Sequence, residues 1–139
     1  MSLVRTTPLL LLALLAFVLA SCVSTDTGPA PLPSVVCNLR CAGATALPYG
    51  TVLELRLVDL TRADPRPSVL AERIESNPGQ PPLRFRLFYN HAAIDPSHDY
   101  GAEARILYKG RPQWIQTEPA PIITKGHPDE VDIVLQPAP

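Results

Sequence analysis

Seven short segments of this chain alternate apolar and polar residues, and this period of two constrains the fold more than any other feature. The clearest are 52–60, where Leu53, Leu55 and Leu57 share one face, and 100–108. Such alternation puts every second side chain of a strand on one face. The 17 prolines disfavour helices, and no segment after residue 22 repeats apolar residues at helical spacing for three turns. The chain is therefore predicted to be all-β.

Turn signals separate the seven predicted strands, which are 35–41, 52–60, 69–75, 83–89, 100–108, 113–117 and 130–136. About seven short antiparallel strands in about 100 residues usually form a β-sandwich of two sheets packed face to face. An open barrel is the alternative architecture. The apolar pair Ile122-Ile123 is assigned to a loop, and one helical turn is expected near 92–94.

The N-terminal segment carries a secretion signal. An apolar run from Leu9 to Ala20 follows the basic Arg5, and it is shorter than the roughly 20 residues of a transmembrane helix. It ends in the four residues Leu19, Ala20, Ser21 and Cys22. They resemble the lipoprotein box of bacterial signal peptides, which implies cleavage before Cys22 and attachment of diacylglycerol to its thiol. The alternative is an ordinary secreted protein that is cut at a nearby alanine.

Three parts follow from this interpretation: a removed signal peptide at 1–21, a flexible lipid-anchored tether at 22–33 and one β domain at 34–139. Arg5 is the one charged residue of the removed part, so the mature chain has a net charge of about −2. That charge, without a basic stripe, excludes nucleic acid as a partner. The lipid is then the membrane contact. Val23, where some bacteria place an aspartate as an inner-membrane mark, favours the periplasmic face of the outer membrane.

Two further cysteines and three histidines are candidate site residues. Cys37 and Cys41 lie on one face of a predicted strand, with Cα atoms about 13 Å apart. A disulfide needs about 7 Å and therefore a break such as a bulge; otherwise both are small buried apolar residues. The histidines, all in predicted loops, match no metal-ligand template; they are His91, His98 and His127. No metal or other cofactor is predicted.

Neither a nucleophile elbow nor a glycine-rich phosphate loop is present in the sequence, so the chain is not predicted to be an enzyme. Asp64 and Asp95 precede prolines and are interpreted as turn residues. Val58, Phe88 and Val134 are apolar on otherwise polar strand faces. If these three side chains cluster, they form the candidate surface for a protein partner.

An ordered set of short pieces resembles the YbaY-like lipoproteins, which are grouped with the YscW-type pilotin lipoproteins of type III secretion. The pieces are 47–60, 61–64, 82–89, 94–96, Tyr100, 104–106, Gly110, 124–126 and 131–135. The resemblance implies a small periplasmic β-sandwich and, for the pilotin members, the escort of a secretin subunit to the outer membrane. Asn90, Cys37, Cys41 and Ala120 depart from the family pattern without breaking the strands.

Three functions remain open from the sequence. The preferred one is a lipid-anchored binding or assembly module that docks an envelope protein such as a secretin, for example by strand addition. The second is an envelope-maintenance or stress lipoprotein without a stable protein partner, which binds a small apolar ligand. The third is a metal or redox protein that uses the loop histidines or the cysteine pair. The oligomeric state is left open.

Overall fold

The structure, a computed structural model, describes residues 28–44, 46–62 and 65–139. Residues 31–139 form one compact unit. The predicted signal peptide and the predicted anchor Cys22 lie outside the described residues. Among the described residues, no helix is long and apolar enough to cross a membrane.

Strands make up nearly all of the regular structure, so the all-β prediction is confirmed. Six of the seven predicted strands become β1 to β6, the seventh becomes β8, and the expected helical turn is a 3-10 turn at His91–Ala93. The strands are β1 (Ser34–Cys41), β2 (Thr51–Asp59), β3 (Ser68–Ser76), β4 (Leu83–Phe88), β5 (Tyr100–Tyr108), β6 (Arg111–Ile115), β7 (Ala120–Ile122) and β8 (Glu130–Pro137).

The strands form one continuous hydrogen-bonded path in the order β3-β2-β5-β6-β8-β1-β4, with β7 added to β5. The sheet curls until its edge strands β3 and β4 approach each other, which gives a nearly closed, barrel-like sheet. This arrangement differs from two separate packed sheets because β8 pairs with both β1 and β6 and joins the halves. The β1–β8 pair is parallel, whereas the predicted sheets were antiparallel throughout.

The core lies on the inner face of the curled sheet, where large side chains oppose small ones. Leu55 and Leu57 of β2 face Ala104 and Ala102 of β5. Burial of each leucine stabilises the fold by about 1.5–3 kcal/mol. The opposite half supplies alternate residues of three strands, namely Val35, Cys37, Leu39, Leu83, Leu87, Val131, Ile133 and Leu135.

The sequence did not predict β7, which pairs with the beginning of β5. The strand has three residues, and Pro121, opposite Gly101, cannot donate a ladder hydrogen bond. A segment this short contains only one period of alternation, which is too little to identify a strand. Its apolar Ile122 is nevertheless buried in the core.

Gly101 provides a test of the close packing under β7. A Cβ atom at Gly101 would lie 2.7 Å from Pro119 Cβ and 3.1 Å from Leu60 Cδ1. We expect Gly101→Ala to lower the free energy of unfolding by about 2 kcal/mol, measured by chemical denaturation, because the added methyl group overpacks the contact with Pro119 and Leu60 on the outer face of β5. Pro119→Gly removes the nearest atom, so the double variant should lose less than the sum of the single variants. A fully additive double variant would contradict this contact.

Candidate functional site

The barrel has an open seam between β3 and β4. These strands follow each other in the chain and run antiparallel, but neither is hydrogen-bonded to the other as a strand neighbour. Within the part of the chain that the structure describes, one side-chain hydrogen bond joins β3 to β4 across the seam: Arg73 Nη1 donates to the carbonyl oxygen of Arg86 at 3.0 Å. The same guanidinium lies 4.8 Å from the centre of the Phe85 ring, and its Nη2 donates to Glu75 at 2.8 Å.

Charged residues on the inner face of β3 explain why the seam does not close. Arg73 and Glu75 pair with Leu55 and Leu53 of β2, so they occupy positions on the core-facing side of the sheet. Both side chains keep about a third of their surface exposed. Inward-pointing charges on an edge strand oppose pairing with another strand, because full closure would remove them from water.

A groove of about 540 Å³ lies at the open end of the seam. We call it the seam groove. It is lined by Leu32, Pro33, Leu70, Ala71, Glu72, Phe88, Tyr89, Asn90 and His91. Leu32 is 69% exposed and Phe88 is 51% exposed, although both are large and apolar. Exposed apolar side chains that share one groove are typical of a surface that binds a partner.

The main chain of β4 also faces the seam groove. The amide of Tyr89 donates to the carbonyl oxygen of Pro33 at 3.1 Å, so residue 89 points its backbone toward the β1 side. Backbone direction alternates along an antiparallel strand. The backbone groups of Arg86 and Phe88 and the amide of Asn90 therefore point into the seam, as the bond from Arg73 to the Arg86 carbonyl shows. The carbonyl oxygen of Asn90 accepts from the Ala93 amide at 3.0 Å. Among the described residues, no strand pairs with this edge.

The three residues of the predicted partner surface do not cluster. Phe88 lies in the seam groove, and Val134 is 52% exposed on β8. Phe88 pairs with Ser34 and Val134 with Arg40, which places them about 20 Å apart along β1. Val58 is 1% exposed, so its assignment to an exposed surface is wrong. A bulge against β3 begins there, and Leu57 and Val58 are both buried.

The disulfide alternative for Cys37 and Cys41 is also wrong. Both cysteines lie on the inner face of the uninterrupted strand β1, and both are free and buried. Burial raises the pKa of the Cys37 thiol to about 11 and raises that of Cys41. The thiolate, which is the reactive form, is therefore disfavoured at neutral pH.

Thiol labelling tests this placement. In a Cys22→Ser variant, Cys37 and Cys41 are the two remaining thiols. We expect a disulfide reagent to modify them only as fast as the protein unfolds. Addition of denaturant should release both thiols to rapid labelling. Labelling of the folded protein at the rate of an exposed thiol would contradict the burial of these residues.

A network at one end of the barrel contains His98, which was considered as a metal ligand. His98 Nδ1 lies 2.7 Å from Oδ2 of the buried Asp59, whose Oδ1 accepts from the Thr61 amide at 2.9 Å. Thr124 Oγ1 donates to the His98 carbonyl at 2.7 Å. Burial opposes ionisation of Asp59, but the hydrogen bonds from His98 and the loop amides outweigh it and hold its pKa below the ordinary value. The network ties three loops together.

The other candidate ligands are dispersed. His91 and His127 are exposed in separate loops, and within the described residues no group of three metal-binding side chains is close enough to hold an ion. Asp95 accepts from the amide and hydroxyl of Ser97, at 2.9 and 2.7 Å, as expected of a turn residue. Asp64 lies outside the described residues.

Comparison with known proteins identifies the family. Residues 30–135 match the family described as "Type III secretion system lipoprotein chaperone (YscW)". The chain belongs to the YscW family. This confirms the resemblance to YscW-type lipoproteins, whereas the grouping with YbaY-like proteins stays a prediction. The matched range includes the whole seam groove.

A solved structure with the same fold is that of an alternative pilotin from the type II secretion system of Vibrio cholerae. It is 28% identical to this YscW-family chain, with a TM-score of 0.73. The alignment covers 78% of this chain and 99% of the pilotin. No curated protein sequence matches this chain.

Proposed function

We propose that this chain is a lipid-anchored periplasmic escort that binds a secretin subunit of a bacterial secretion system and accompanies it to the outer membrane. The match to a family of secretion lipoprotein chaperones over residues 30–135 carries the proposal. The likeness to a type II secretion pilotin supports it, because that protein shares nearly its whole length with this chain. Such a role requires a docking surface and a lipid, and no catalytic group.

The proposed anchor is Cys22, exposed by cleavage after Leu19, Ala20 and Ser21 and modified with lipid. A tether from residue 22 to residue 33 spans at most about 40 Å when fully extended. It enters the barrel at the first residue of β1, and Leu32 and Pro33 line the seam groove. A partner in the groove would therefore be held close to the point where the tether enters the barrel.

The proposal is tested by co-expressing the chain with the secretin subunit of its own secretion system and separating the inner and outer membranes. We expect the wild type to carry the secretin into the outer-membrane fraction. Cys22→Ser should leave both proteins out of that fraction, because the bound pair has lost its lipid. If the secretin reaches the outer membrane equally well with Cys22→Ser or without this chain, the escort function is refuted.

A matched pair of surface variants tests the docking site in the same co-expression system, with co-purification of the secretin as the readout. Phe88→Asp places a charge in the seam groove and should abolish co-purification of the secretin. Val134→Asp places the same charge on an equally exposed strand position about 20 Å away and should leave co-purification intact. Equal effects of the two substitutions would argue against the seam groove as the docking site.

One observation favours the alternative of a small apolar ligand. The volume of the seam groove, about 540 Å³, falls within the range of small-molecule sites. This function predicts a bound apolar compound in solvent extracts of the purified protein and no stable secretin complex. The co-expression experiment distinguishes the two, because ligand binding alone would not move the secretin between membranes.

A further inference from the structure

We propose that the seam groove holds its polypeptide partner as an extended strand added to the free edge of β4. This inference rests on the proposed function and specifies how the partner is bound. The partner strand would pair with the main chain of Phe88 and with the amide of Asn90 at the open end of the seam. Arg73, whose bond to the Arg86 carbonyl closes the narrow end, marks where the added strand stops.

The edge of β4 that faces the seam is unpaired within the described residues. The seam-facing amides of Phe88 and Asn90 alternate with those of Leu87 and Tyr89, which point to the β1 side. An exposed strand edge is a template for another strand, and strand addition satisfies its donors and acceptors at once. β3 does not satisfy them, because no strand pairing joins β3 to β4 within the described residues.

The side chains on the outer face of β4 define the chemistry of the partner. Arg84 is engaged by Glu130, with Nη1 and Oε1 2.6 Å apart. Arg86 forms no ion pair with any described residue, and its backbone faces the seam. Phe88, two positions further on, is half exposed beside Leu32. The complementary strand therefore carries an apolar residue opposite Phe88 and an acidic residue two positions away, beside Arg86.

Hydrogen exchange resolved to single amides tests the pairing, with the full lipidated chain in detergent and the purified secretin subunit as the probe. In the free protein, the amides of Phe88 and Asn90 should exchange at least about tenfold faster than those of Leu87 and Tyr89. In the complex, Phe88 and Asn90 should become protected while Leu87 and Tyr89 change little. This alternation is specific to strand pairing.

A matched pair of substitutions separates the main chain from the side chain. Phe88→Ala removes the phenyl ring and keeps the amide, whereas Phe88→Pro also removes the seam-facing donor without removing a β1 ladder bond. We expect Phe88→Pro to bind the secretin roughly three- to tenfold more weakly than Phe88→Ala. If Phe88→Pro does not fold, the exchange pattern of the wild type decides the question by itself.

The results of these experiments distinguish failure of the proposed function from failure of strand addition. Failure of the wild type to bind the secretin would refute the proposed function and this inference with it. Binding without protection of Phe88 and Asn90, or with uniform protection of all four amides, would refute strand addition alone. Protection by vesicles of phosphatidylethanolamine and phosphatidylglycerol, in the absence of secretin, would assign the groove to lipid and overturn the inference.

Discussion

We expect Leu55→Ala to lower the free energy of unfolding by about 3 kcal/mol, within the range observed for buried leucines. Leu55 is fully buried at the centre of β2, between Arg73 of β3 and Ala104 of β5. Ala104 is too small to fill the space. Arg73 is engaged with Glu75 and the Arg86 carbonyl, so it cannot move in without losing those bonds. The substitution should therefore leave a cavity.

The pairing of large with small residues makes a sharper version of this test. Ala104→Leu alone should destabilise the fold by overpacking, whereas Leu55→Ala combined with Ala104→Leu nearly conserves the core volume. Chemical denaturation should therefore show the double variant to be more stable than the sum of the single losses predicts. Val134→Ala, on an exposed position, should change stability by less than about 0.5 kcal/mol. Strict additivity would mean that Leu55 and Ala104 do not share space.

The strands were the most predictable part of this fold, because a half-buried strand must alternate whatever its neighbours are. The prediction for 100–108 coincides with β5, and that for 52–60 is displaced from β2 by one residue. Alternation reports which side chains face the core, but it does not report which strands are neighbours. The parallel pairing of β1 with β8, which joins the halves of the barrel, links Asn38 to Asp132 across 94 positions. No local pattern contains that information.

The candidate site was also predictable in its strand pattern but not in the neighbours of each strand. Phe88 and Val58 were chosen for the same reason, as apolar residues on polar faces. The structure buries Val58, because it lies between Val69 of β3 and Gly101 of β5 and beside the segment 66–67. It exposes Phe88, because that residue ends the edge strand β4. Which strands and loops cover a strand position depends on the pairing of distant segments, so the sequence of β2 alone does not reveal it. The role of Phe88 in binding a partner stays a prediction.

The second large effect is expected at Asp59, which joins the end of β2 to two loops. Asp59→Ala should lower the free energy of unfolding by about 2 kcal/mol near neutral pH, because the partly buried donors on His98 and Thr61 lose their charged acceptor. The partners lie 39 positions apart for His98 and two for Thr61, so the loss should loosen both loops. Chemical denaturation of the two proteins measures the effect.

The pH dependence of this contribution follows from the direction of the pKa shift. The folded protein holds the pKa of Asp59 below its ordinary value of 3.8, so the ionised carboxylate is favoured by folding. The stability it contributes is fully present above about pH 4 and is lost as the pH falls through the lower, folded-state pKa. The difference between wild type and Asp59→Ala should therefore shrink as the solution is acidified below pH 4.

A comparison with Asp95 separates this buried carboxylate from an exposed one in the neighbouring loop. Hydrogen bonds from Ser97 also hold the pKa of Asp95 below its ordinary value, but its side chain is open to water. Water can replace the carboxylate there, so Asp95→Ala should cost much less stability than Asp59→Ala. Two results would show that the network does not depend on a buried charge at Asp59. One is an equal loss of stability in Asp59→Ala and Asp95→Ala, and the other is a stability difference between wild type and Asp59→Ala that stays constant below pH 4. The barrel end would then be held by the packing of its loops alone.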